Sequence, residues 1–176
     1  MTNEFEMSDL GLLSYHLGIE VGQYKDFTIV KQTCYAKKIL EQFGMGQCNA
    51  AKFPMEPGAR LHSDNDGQPV DATQYRKVIG CLRYLLHTRP DLAYTVRVAS
   101  RFMEKPTLMH MQAVKQILRY LKGTIDLRLV YTQEGLKEEL VGYSDSDVGG
   151  DLVSRRSTGG MAFYLGGSLI TWCSQK

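Results

Sequence analysis

The strongest constraint on this chain is a change in the period of its apolar residues. From Asp71 to Gly123 they recur at helical spacing, and from about Leu127 they recur at strand spacing. Tyr75, Val78, Ile79, Leu82, Leu85 and Leu86 cover one flank of a first helix, and Asp71-Ala72-Thr73-Gln74 gives it a capping-box-like start. Thr88-Arg89-Pro90-Asp91 stops that helix and opens a second, with Pro90 near the first helical position. The second carries Leu92, Val96, Ala99, Phe102 and Met103 and ends at Lys105-Pro106. A third runs over about 107–122, with Val114, Ile117, Leu118 and Leu121 inward and Gly123 at its C′ position. Residues 127–132, 140–146, 160–165 and 169–173 then read as strands joined by turns that bear glycine. Helices followed by a run of strands predict an α+β chain.

Upstream of the helices, residues 13–21 and 27–32 are rich in apolar and β-forming residues and flank a polar stretch at 22–26. They read as a β-hairpin with a loop of about five residues. Thr33 is the expected N-cap of a short helix with Tyr35, Ile39, Leu40 and Phe43 on one face, and Gly44 fits its C′ position. Pro54, Pro57, Asp64-Asn65-Asp66-Gly67 and Pro69 mark 45–70 as a linker. The expected divisions are therefore 1–44, 45–70, 71–125 and 126–176.

A length of 176 residues suits one domain, or one small domain with part of another. A net charge of +2 does not by itself imply a polyanionic partner, so the placement of the cations matters more than their sum. Cys34, Cys48, Cys81 and Cys173 lie far apart and form no C-x-x-C pair. They read as reduced thiols, which fits a cytoplasmic or nuclear location. The first residues show no secretory signal, and no apolar stretch approaches the length of a membrane span. Zincin, P-loop, nucleophile-elbow and dinucleotide-binding motifs are absent, and His62, His87 and His110 share no metal spacing.

The first helix of the trio has a second face. At about 100° per residue, Arg76, Gly80, Arg83, Tyr84 and His87 cluster roughly opposite the apolar flank. A mid-helix glycine costs about 1 kcal/mol relative to alanine. Here it clears the middle of a basic face, which would let the backbone lie close to a duplex, with Arg for phosphates and Tyr for stacking. The alternative is a solvated face with an incidental glycine. Lys115, Arg119 and Lys122 recur at i, i+4 and i+7. That spacing fits either a phosphate-tracking stripe or the wet side of an amphipathic helix.

An ordered set of phrases resembles the Pol polyproteins of copia-type LTR retrotransposons. They are Phe5-Glu6-Met7-Ser8-Asp9-Leu10-Gly11, Tyr15-His16-Leu17-Gly18-Ile19-Glu20 and Tyr75-Arg76-Lys77-Val78-Ile79-Gly80. Thr88-Arg89-Pro90-Asp91-Leu92 and Ile117-Leu118-Arg119-Tyr120-Leu121-Lys122-Gly123-Thr124 follow. Gly142-Tyr143-Ser144-Asp145-Ser146-Asp147 and Arg155-Arg156-Ser157-Thr158-Gly159-Gly160 complete the order. The resemblance implies the end of a reverse transcriptase palm with a primer-grip-like hairpin (1–44), thumb and connection helices (71–125), and an incomplete ribonuclease H-like mixed sheet (126–176).

By the same resemblance, the second face of that first helix, Arg76, Gly80, Arg83 and Tyr84, together with His16, Lys115 and Arg119, would bind an RNA–DNA hybrid or duplex weakly. Asp145 matches the first ribonuclease H carboxylate and would be a lone ligand for the family's Mg²⁺; no tightly bound cofactor is expected. The family's Tyr-x-Asp-Asp turn has no counterpart, since no Asp-Asp dipeptide occurs, and three further ribonuclease H carboxylates are expected beyond Lys176. Both activities are therefore expected to be incomplete. Val148 replaces the family's usual Trp. Asp147 and Asp151 read as turn residues, and Arg155-Arg156-Ser157 as a hybrid contact or a charged turn. Three readings stay open: a non-catalytic remnant that binds duplexes, a co-opted host protein that acts through protein contacts, and a piece cut from a longer polyprotein. An uncovered sheet face with Met161, Phe163, Tyr164, Ile170 and Trp172 is expected to drive self-association or capture of a partner.

Overall fold

The computed structural model describes residues 11–59, 61–63, 67–132, 139–146 and 157–175. In chain order these form β1 (Tyr15–His16), β2 (Ile19–Gln23), β3 (Phe27–Lys31), α1 (Thr33–Gln42), α2 (Ala72–Leu85), α3 (Ala93–Ala99), α4 (Leu108–Gly123), β4 (Leu129–Thr132), β5 (Leu140–Ser146), β6 (Gly159–Leu165) and β7 (Ser168–Gln175). Single 3-10 turns, Pro90–Leu92 and Ser100–Phe102, flank α3. The architecture is α+β, with one sheet in the order β1-β2-β3-β4 and a second in the order β5-β6-β7.

Two features of the sheets differ from the sequence expectation. Every strand pairing is antiparallel, so the described strands form no mixed sheet. The strand at 129–132 does not join the three that follow it. It pairs with β3 in the register Val30↔Leu129 and Thr28↔Tyr131, so the predicted boundary at 126 cuts through the first sheet. The predicted strand 13–21 is also two strands. Leu17 and Gly18 both take positive φ, 46° and 78°, which is the backbone of a two-residue hairpin turn.

The helical core matches the predicted periodicity. Tyr75, Val78, Ile79, Leu82 and Leu85 of α2 are buried with Val114, Ile117, Leu118 and Leu121 of α4, Leu92, Val96 and Ala99 around α3, and Ala36, Ile39 and Leu40 of α1. Asp71 caps α2 by accepting from the Thr73 N–H at 2.8 Å. At the end of α1, Gly44 has φ 66°, and the Gly44 and Met45 N–H groups donate to the carbonyls of Glu41 and Leu40. This is the double bond of a Schellman stop. Thr33 does not cap α1. It is the first helical residue, and the cap comes from another element: Glu20 of β2 accepts from the Cys34 N–H at 2.7 Å.

Gly123 likewise has a role other than the one its position suggested. It is the last residue of α4, and a Cβ there would lie 3.0 Å from the Cβ of Ala50. The glycine lets the 45–70 segment lie against the helix rather than supplying a left-handed cap. Along that contact the Ala51 N–H donates to the Arg119 carbonyl at 3.2 Å, and Gln116 donates to the Phe53 carbonyl at 3.0 Å.

The Thr-Arg-Pro-Asp phrase does more than stop a helix. Arg89, 3% exposed, donates through Nε and Nη2 to both carboxylate oxygens of Asp91 at 2.9 and 2.6 Å. It also reaches the carbonyl and hydroxyl oxygens of Thr124 at 3.1 and 2.7 Å. Next to it, Thr88 donates to Gln32 at 2.9 Å. The helix break and the end of α4 are thus joined at one buried guanidinium.

Candidate nucleic-acid interface

The polar face of α2 is open. Arg76, Gly80, Arg83 and His87 are exposed and Tyr84 is half-buried. A Cβ built on Gly80 would meet nothing within 4 Å. Among the described residues the glycine is therefore not needed for packing, and its helix-weakening cost has no structural offset there. Arg76 is held in place: its guanidinium donates to the Met103 carbonyl at 3.1 Å and lies 3.5 Å from the Thr73 hydroxyl.

The N-terminal hairpin borders this face. The Tyr84 hydroxyl donates to the Leu17 carbonyl, which fixes the strained turn against α2. Gly18 faces the same ring, since its Cβ would sit 3.7 Å from Tyr84 Cε1. Tyr84 also meets Tyr35 edge-on at 5.1 Å and His87 at 5.2 Å, and His87 Nδ1 lies 2.8 Å from the Tyr84 carbonyl. Burial, aided by the Cys81 thiol and Tyr84, pushes the Tyr35 phenol up to about 12. The Tyr35 phenol therefore keeps its proton at neutral pH. His16 is exposed on β1 of this hairpin, so the fold brings His16 to the end of the face that holds Tyr84.

The other predicted residues are placed elsewhere. Lys115 is exposed on α4, while Arg119 is half-buried and its Nε donates to the Asn49 carbonyl at 2.9 Å. The stripe is thus partly occupied by the 45–70 segment. Neither a free phosphate track nor a simple wet face describes it. Asp145 is exposed near the end of β5, paired with Gly160. Among the described residues no three His, Cys, Asp or Glu side chains converge on a point that could hold a metal ion. Asp147, Val148, Asp151, Arg155 and Arg156 lie outside the described residues.

The second sheet meets the helical region through Trp172 and through Arg101, which donates to the Thr158 hydroxyl. Trp172 of β7 donates its indole N–H to the Leu86 carbonyl at 3.1 Å, at the end of α2. Trp172, Tyr143 and Ala162 share a face by register, while Met161 and Phe163 belong to the opposite one. The single uncovered face expected from the sequence is therefore divided: Trp172 is half-buried at the helices, and Met161, Leu165 and Ile170 stay exposed. Sequence reading placed Trp172 only on an uncovered sheet face and did not single out Arg97; both border the α2 face from other elements. Neither carries a local signal, because the proximity arises only from the docking of β7.

Comparison with known proteins defines the class. Residues 1–57 match the reverse transcriptase (RNA-dependent DNA polymerase) family model. Over all 176 residues the chain is 34% identical to an uncharacterised mitochondrial protein of Arabidopsis thaliana, of which it covers 72%. Over its whole length it is 36% identical to the retrovirus-related Pol polyprotein from transposon RE1 of the same plant, of which it covers 12%. It is also 47% identical over 103 residues, 58% of the chain, to secreted RxLR effector protein 161 of Plasmopara viticola, of which the match covers 72%. No solved structure matches. The chain belongs to the reverse transcriptase-like family of copia-type retrotransposon Pol polyproteins.

Proposed function

We propose that this chain binds RNA–DNA hybrid or duplex nucleic acid along the exposed face of α2, and that its own residues complete neither polymerisation nor ribonuclease H cleavage. The observation that carries the reading is Gly80, which leaves the centre of a cationic face empty without any packing reason. Arg76, Arg83 and His87 supply phosphate donors around it, and the hairpin with His16 gives the face a wall. Membership of a reverse transcriptase-like family supports a nucleic-acid partner, and a cytoplasmic or nuclear location goes with it. The sequence contains no Asp-Asp dipeptide, which supports the lack of polymerisation by these residues alone.

The test is fluorescence anisotropy with a labelled RNA–DNA hybrid across a salt series. Weak, salt-sensitive binding is expected. The double substitution Arg76→Glu and Arg83→Glu should abolish it, with circular dichroism confirming the fold. Unchanged affinity in that variant overturns the reading. A second reading rests on the exposure of Leu140, Met161, Leu165 and Ile170 on the second sheet, which favours self-association or a protein partner. Light scattering at micromolar concentration separates the two, since a monomer that binds hybrid leaves only the first.

A further inference from the structure

On the far side of the α2 face from the hairpin, a cleft of 470 Å³ opens between α2, α3 and β7. Arg83, His87, Arg97, Ser100, Trp172 and Ser174 line it, and among the described residues no Asp or Glu does. Among the described residues the salt bridges are Lys31–Glu20 and Arg89–Asp91, so neither Arg83 nor Arg97 has a carboxylate partner there. Two guanidinium groups on adjacent rigid helices, without counter-charge, create a positive potential that an anion relieves. Guanidinium matches phosphate geometry in particular.

A second observation points into the same space. The Ser174 hydroxyl is buried and has no hydrogen-bond partner among the described residues. A buried polar group without a partner is destabilising, so a ligand oxygen that reached it would relieve it. Ser100 is not equivalent, since its hydroxyl already donates to the Val96 carbonyl at 2.7 Å. The Trp172 ring is fixed as a wall because its indole N–H is committed to Leu86. A space of 470 Å³ lies within the range of small-ligand sites, about 300–1,000 Å³.

We propose that this cleft binds one nucleotide unit of a single strand. The phosphate sits between Arg83 and Arg97 with the Ser174 hydroxyl as a further donor, and the base lies against Trp172. The proposal rests on the nucleic-acid reading above and adds to it a site for unpaired strand beside the duplex face. A free nucleotide offers the same phosphate and planar base, so the test must separate the two sources.

Trp172 is the only tryptophan of the chain and lines this cleft, so its emission reports on binding beside it, and the Arg97 variant ties the signal to the cleft. The 176-residue chain is titrated with a ten-residue thymidine oligonucleotide, with thymidine monophosphate and with inorganic phosphate. Saturable quenching by the oligonucleotide is expected, at lower concentration than by the mononucleotide. Arg97→Ala should raise the oligonucleotide dissociation constant roughly tenfold or more, since it removes a charge-assisted contact. Ser174→Ala should weaken it a few-fold.

Arg76 does not line the cleft, so Arg76→Glu should leave the quenching curve in place. Wild-type chain that quenches with the strand but fails to bind hybrid counts against the duplex face and supports the cleft. Intact hybrid binding with an unresponsive Trp172 overturns the cleft alone. Equal affinity of wild type and Arg97→Ala overturns it as well. Tighter binding of the mononucleotide than of the strand overturns the assignment to single strand.

Discussion

The helical region and the second sheet contain the same kinds of apolar residues, yet they hold together differently. Ile79, Leu82, Val96, Ile117 and Leu121 are each completely buried, and Arg89 adds a satisfied charge at the point where three segments meet. In β5, β6 and β7 no large apolar side chain of the described residues reaches that state. Leu140 and Tyr143 are more than 60% exposed. The sheet is held by its own ladders, by Trp172 on Leu86, and by Arg101 donating to Thr158. One region is built around a core, and the other leans on that core. Substitutions of equal size should therefore have very different effects.

The largest effect is expected at Arg89. Arg89→Leu leaves the Asp91 carboxylate without its partner and frees the Thr124 carbonyl, which should cost about 3–5 kcal/mol. Chemical denaturation followed by far-ultraviolet circular dichroism measures it. A cost below about 1 kcal/mol would show that the helix junction does not depend on this residue. Leu82→Ala should cost about 2–5 kcal/mol by the same measurement. Truncating Met161 to Ala, at an exposed position on β6, should cost less than about 1 kcal/mol. Similar values at the two sites would abolish the contrast between the regions.

A smaller effect separates a buried hydrogen bond from simple burial. The Tyr75 hydroxyl donates to the Ala99 carbonyl at 2.9 Å, and burial pushes its phenol well above the usual 10. Tyr75→Phe should cost about 0.5–1.5 kcal/mol near neutral pH. The folded phenol holds its proton more tightly than the unfolded one, so its contribution is whole below pH 10 and is lost as the pH rises above that value. Wild type should therefore lose stability above pH 10 more steeply than Tyr75→Phe; parallel curves would place the alkaline loss in other groups. The smallest effect has the opposite sign. Gly80→Ala should stabilise by about 0.5–1 kcal/mol, because the helix gains propensity and the new Cβ meets nothing. Weaker hybrid binding by this more stable variant would tie the glycine to the duplex face.

The same contrast explains what the sequence revealed. Helical spacing placed Tyr75, Val78, Ile79, Leu82 and Leu85 inward and left Arg76, Gly80, Arg83 and His87 outward, because a helix face is a local property. The turn at Leu17 was hidden, since leucine is not a residue type that signals positive φ. The partner of β4 was hidden for another reason: period 2 identifies a strand but not the strand it pairs with. Gly123 followed the rule for helix ends, yet its actual reason is Ala50, remote in sequence. The cleft was the least visible feature. Arg83, Arg97 and Ser174 come from three elements, and no spacing along the chain relates them.

The pairing of β3 with β4 has a consequence for how the protein is made. The two strands are about a hundred residues apart, and closing a loop that long is entropically slow relative to local helix formation. On the ribosome, the hairpin and α1 emerge early, and β3 then waits with one row of backbone groups unpaired until residue 132 has cleared the exit tunnel. During that interval Phe27, Ile29 and Val30 present an apolar edge to any neighbouring nascent chain. Translation that stalls before β4 would release a product with an open strand. Such products should be recruited by chaperones or precipitate, although a product that stalls just before β4 already encodes all the described helices.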